Sequence, residues 1–97
     1  MPASADLQTA FDKALTLVQR SIASGMKGSD GSSALPHLER LERELRAQQA
    51  NALERGSLDR DWLQKTVRWV VEWVPDDELK LVAALGGIAR AAPTALS

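Results

Sequence analysis

The chain has 97 residues, a net charge of −1, 44% apolar and 26% charged residues, and no cysteine. That length fits one domain, and the composition is that of a folding globular chain rather than a disordered one. The missing thiols exclude a disulfide framework and a thiolate metal centre, and so small a net charge creates no long-range field to gather nucleic acid or an anionic membrane.

Ala, Leu, Arg, Glu and Gln are abundant while β-branched and aromatic residues are scarce, so the composition favours an all-α fold. The amino-terminal MPASADLQ lacks the basic start and continuous apolar stretch of a secretory signal, which makes the cytoplasm the expected compartment. Arg68, Glu72, the Asp76-Asp77-Glu78 cluster and Lys80 keep every apolar run well below the ~20 residues of a bilayer span, so no integral membrane insertion is expected.

The first predicted helix covers about residues 5–24. Ser4 or Asp6 can cap it, and Leu7, Phe11, Ala14, Leu15, Val18 and Ile22 recur three or four apart along one face. The following SGMKGSDGSS is rich in Gly and Ser, so residues 25–33 read as a flexible connection, able to close a hairpin or to let the first helix swap onto another copy.

The second helix is expected over 35–55, with Pro36 in its first turn, Ser32 or Ser33 helping to start it and Gly56 as its stop. Leu38, Leu41 and Leu45, continued by Gln48 and Ala52, form a thin apolar seam. Glu39–Arg43 and Glu42–Arg46 are spaced to pair across one turn. This charged helix is the one expected to project or to pair with another chain.

The third helix, expected over 58–74, starts at a Ser57 cap with Asp59 and Asp61 at the positive end of its dipole, and Pro75 closes it. On a helical wheel Trp62, Trp69 and Trp73 align with Thr66, and Leu63, Val67, Val70 and Val74 form a second stripe beside them. With Val71, the apolar arc spans roughly 200 degrees. One intrachain contact cannot cover such an arc.

Asp76, Asp77 and Glu78 then open a fourth helix over about 76–92, ending before Pro93. Leu81, Leu85 and Ile88 share one side, while Ala83, Gly87 and Ala91 repeat on another. Two adjacent glycines inside a helix cost roughly 1 kcal/mol each relative to Ala, so Gly86-Gly87 implies close backbone approach or a kink.

No catalytic constellation emerges. His37 is the only histidine and lies on a polar first turn, with neither a second His nor a Cys to share a metal or activate a nucleophile. Asp59-x-Asp61 and Asp76-Asp77-Glu78 have the oxygen chemistry of a cation site, but capping and the helix dipole account for both. Arg40, Arg43 and Arg46 are interleaved with Glu39, Glu42 and Glu44 and read as a solvated face rather than a phosphate-binding stripe. No catalytic, cofactor-binding or metal-ligating residue is assigned.

The sequence therefore predicts a small antiparallel four-helix bundle in a single domain, possible to complete by dimerisation. The expected function is a non-enzymatic protein–protein interaction module: a homodimeric adaptor, chaperone or inhibitor of the immunity or antitoxin kind. The bias to Arg and Ala points to a bacterial source. The expected interface is Trp62, Trp69 and Trp73 with Leu81, Leu85 and Ile88, the Leu/Val stripe of the third helix facing the chain's own core. The alternative is a DNA-binding regulator of helix-turn-helix type, with the third helix as reader.

Overall fold

Apolar periodicity sets the architecture: α1 is Pro2–Ser24, α2 Leu35–Arg55, α3 Arg60–Trp73 and α4 Lys80–Ala91. The computed structural model describes residues 2–55, 58–75 and 79–91, with side chains from residue 6 onward. The fold is an all-α bundle, 42 Å long and 21 × 19 Å across, which is about two helix diameters in each short direction.

Polar pairs reveal the helix directions. Gln19 Nε2 donates to Glu42 at 3.3 Å and Gln49 Nε2 donates to Asp12 at 2.9 Å, so numbers rise along α1 as they fall along α2. Glu44 meets Trp62, Arg40 meets Trp69 and His37 meets Trp73, which makes α2 and α3 antiparallel too. The backbone of α1 packs closely on α2 and α4, and that of α3 on α4. The α2 and α3 backbones stand further apart, with tryptophan side chains bridging the gap.

Each helix sends one stripe inward. Leu7, Phe11, Ala14 and Val18 come from α1, Leu38, Leu41, Leu45 and Ala52 from α2, Leu63 and Val70 from α3, and Leu81, Leu85 and Ile88 from α4. These apolar surfaces leave water together, which is the main favourable term holding the helices.

Several helix ends differ from expectation. Helix α1 starts at Pro2, so Ser4 and Asp6 lie within it rather than capping it; proline at a first helical position lacks only an amide hydrogen that would go unpaired there anyway. Asp59 caps α3: its carboxylate accepts from the Trp62 amide at 3.0 Å. Val74 is the C-cap, its amide donating to Val70 at 2.9 Å just before Pro75. The expected roles of Gly56, Ser57, the Asp76-Asp77-Glu78 cluster and Pro93 lie outside the described residues.

Residues 25–33, expected to be a flexible connection, form a hydrogen-bonded turn. Gly25, at φ +71°, ends α1 in a Schellman motif: its amide donates to Ile22 and that of Met26 donates to Ser21, both at 3.1 Å. Lys27 and Ser33 then pair as a short antiparallel bridge, and the Ala34 amide donates to Met26 at 3.1 Å. The tip docks on α3, with the Ser29 amide donating to the Trp73 carbonyl at 2.8 Å and its hydroxyl to the Glu72 carbonyl at 3.4 Å. Glycine and serine supply tight geometry and backbone capping here.

Candidate functional site

The apolar arc of α3 divides between two neighbours of the same chain. Leu63, Val70 and Val74 are buried in the common core, whereas Trp62, Thr66, Trp69 and Trp73 turn towards α2. Val71, at 53% exposure, is the outward limit of the arc, and Val67 is half-buried.

The residues of α2 opposite the tryptophans are polar, yet they cover aromatic surface. His37, Arg40 and Glu44 share one stripe because they are three and four residues apart. The His37 ring stacks on Trp73 with centroids 5.0 Å apart and planes 21° from parallel, and it meets the Trp69 ring edge-on at 5.5 Å. Trp69 and Trp73 are themselves edge-to-face at 5.3 Å. The Arg40 guanidinium sits 4.8 Å from the centre of the Trp69 ring, a cation–π geometry.

Glu44 ties this layer together. One carboxylate oxygen accepts from Arg40 Nε at 2.7 Å and the other from the indole Nε1 of Trp62 at 2.9 Å. Partial burial pushes its pKa up, but the hydrogen bonds from Arg40 and Trp62, with the charges of Arg40 and Arg43, outweigh this and hold it below the ordinary glutamate value. With both oxygens engaged, Glu44 is an ionised tie between α2 and α3.

Trp62 and Trp69 remain half-buried and line a shallow groove of about 180 Å³ together with Arg40, Glu44, Lys65 and Thr66. Lys65 pairs with Asp61 at 3.1 Å on the open rim. Asp59 is occupied as a cap and Asp61 in this ion pair, and among the described residues no three acidic or histidine side chains converge as a cation site would require.

The expected interface is thereby redistributed. Trp73, Leu81, Leu85 and Ile88 are at most 7% exposed and belong to the core of the single chain, because α1 and α2 close over them. Only Trp62 and Trp69 of that set reach the surface. His37 and Arg40 are exposed, as expected of surface residues, and each also lays one side against the tryptophans. The available signal was the match between two stripes, His37/Arg40/Glu44 and Trp62/Trp69/Trp73, on consecutive antiparallel helices. On the remaining face of α2, Glu42 pairs with Arg46 at 3.3 Å, whereas Glu39 and Arg43 do not pair.

No family model, curated protein or solved structure matches the chain.

Proposed function

We propose that this chain is a non-enzymatic interaction module that binds protein, first of all a second copy of itself, through the α2–α3 groove. The observation that carries the proposal is the pairing of two half-buried tryptophans, Trp62 and Trp69, with Arg40 at the centre of that groove. Trp and Arg are the side chains most enriched where truncation weakens an interface. The surroundings carry both signs of charge in alternation, Asp61–Lys65 on α3 and Arg40–Glu44 on α2. A patch of mixed sign can meet its own two-fold copy with charges complementary, as an isologous contact requires.

This reading suits a small bacterial adaptor, chaperone or inhibitor, whose work is recognition alone. Sedimentation equilibrium with tryptophan emission tests it. The expected result is a dimer whose emission shifts to the red on dilution, as water reaches Trp62 and Trp69, and which Lys65→Glu weakens without altering the far-ultraviolet circular dichroism. A monomer at every concentration, with unchanging emission, would overturn self-association.

A further inference from the structure

A second concavity lies on the opposite side of the bundle, between α1 and α4, with a volume of about 380 Å³. Ala10 and Leu17 of α1 and Ala83 and Gly87 of α4 make its apolar lining. Its polar lining among the described residues is Lys13, Lys80 and Arg90, all exposed, with no acid and no ion pair to any of the three among those residues. Along the same face of α1, Asp6 lies a turn before Ala10 and Arg20 a turn after Leu17, while in the sequence Asp76, Asp77 and Glu78 precede Lys80, so the positive excess belongs to the described lining itself.

The glycines of α4 add an independent observation. A Cβ at Gly86 would come no nearer than 3.5 Å to Arg90 Nη1, and one at Gly87 no nearer than 3.9 Å to Arg90 Nη2, with no other neighbour within 4 Å among the described residues. These are ordinary contacts with the end of a flexible side chain. The packing of this chain therefore does not require glycine at either position, although glycine weakens a helix relative to alanine. What the missing side chain at Gly87 does is keep the floor of the groove low, which benefits an occupant from outside.

We infer that the α1–α4 groove docks an acidic amphipathic helix of a partner protein. Lys80 and Arg90 stand ten residues apart on α4, roughly 15 Å along its axis, so the anionic groups of the occupant must be distributed over two to three helical turns. A single carboxylate or phosphate head cannot meet both ends. The small residues Ala10, Ala83 and Gly87 admit the close approach of a helix backbone, and Lys13 meets the occupant from the α1 side. This face is separate from the α2–α3 groove, so the two proposals stand or fall independently.

The test is fluorescence anisotropy of a labelled helical peptide bearing an Ala/Leu stripe flanked by glutamates, against the same peptide with glutamine in their place. Saturable binding of the acidic peptide at least tenfold tighter than its glutamine counterpart is expected, with a further tenfold loss in Lys13→Glu or Arg90→Glu and in Gly87→Leu. Gly87→Ala should raise the thermal midpoint while weakening the peptide, a combination that a purely structural glycine would not give. Lys65→Glu should bind the peptide as the unaltered chain does. Equal affinity for the two peptides would overturn the inference, as would saturable uptake of dodecanoate without peptide binding. Dimerisation abolished by Gly87→Leu but untouched by Lys65→Glu would likewise overturn it, by assigning the groove to a second copy.

Discussion

Glu44 on α2 holds the indole nitrogen of Trp62 on α3 at 2.9 Å while its other oxygen holds Arg40 over the ring of Trp69. One carboxylate thus fixes two tryptophans, one directly and one through a guanidinium, across the interhelical gap that backbones do not bridge. Glu44→Ala removes both bonds and should cost about 1–2 kcal/mol by chemical denaturation, discounted for partial exposure. Glu44→Gln keeps a carbonyl for the indole and should cost less than the alanine variant.

The same contact has a pH signature. Because the folded state holds the Glu44 carboxyl below its ordinary value, its contribution is complete above the ordinary glutamate range and is lost as pH falls through the depressed folded value. Glu44→Gln should flatten the acid limb of the stability–pH curve and leave its neutral part level. An acid limb of unchanged steepness would show that Glu44 does not link α2 to α3.

Trp73 differs from Trp62 in one atom's surroundings. Its ring is stacked and buried, yet its Nε1 is buried without a hydrogen-bond partner among the described residues. Such an orphan costs roughly 1–3 kcal/mol. Trp73→Phe removes the orphan while leaving an aromatic ring against His37, so the gain offsets most of the lost volume and the net change should stay within about 1 kcal/mol. Trp62→Phe discards a satisfied bond to a charged acceptor and should cost about 1–2 kcal/mol despite the greater exposure of Trp62. The order of the two variants in a denaturant titration is the test, and Trp73→Phe being the costlier would refute it.

Much of this architecture is written locally in the chain. The spacing of Leu7, Phe11 and Val18, of Leu38, Leu41 and Leu45, and of Leu81, Leu85 and Ile88 fixes which face of each helix turns inward, since burial follows the helical period. What covers the tryptophans is not local. A wheel of α3 shows an apolar arc too wide for one neighbour, but whether the second neighbour is another chain or another helix depends on the topology. Here it is α2, and the covering side chains are polar ones whose flat or long apolar parts pack on aromatic rings while their charged ends stay hydrated. The Gly25 cap was equally hard to distinguish from a slack linker, because Gly/Ser composition is shared by tethers and by tight turns.

Adjacent residues on α3 give a direct check of its orientation. Val70 is fully buried and Val71 is 53% exposed, so Val70→Ala opens a cavity while Val71→Ala removes little that water does not already reach. The first should cost about 1–3 kcal/mol and the second less than about 0.5 kcal/mol. Similar losses at both positions would mean that α3 is rotated from the orientation described.

The turn after α1 should matter to α3, although the two are far apart in sequence. Ser29 caps the last carbonyls of α3, and a Cβ at Gly28 would meet the Trp73 carbonyl oxygen at 3.2 Å, a backbone atom that cannot swing away. Gly28→Ala must therefore move the turn by a few tenths of an ångström against the end of α3, which lengthens and weakens the bond from the Ser29 amide to its acceptor. Gly31, at φ +86°, has open space around its Cβ position but a backbone conformation that alanine adopts poorly, so Gly31→Ala strains the turn locally without a clash. Both variants should cost about 1 kcal/mol or somewhat more. Amide hydrogen exchange separates them. Gly28→Ala should speed exchange of the Ser29 amide, whereas Gly31→Ala should act first on the Gly31 and Ser32 amides, which donate to Gly28 and Asp30. If Gly28→Ala leaves Ser29 as protected as before, the turn is not a cap on α3.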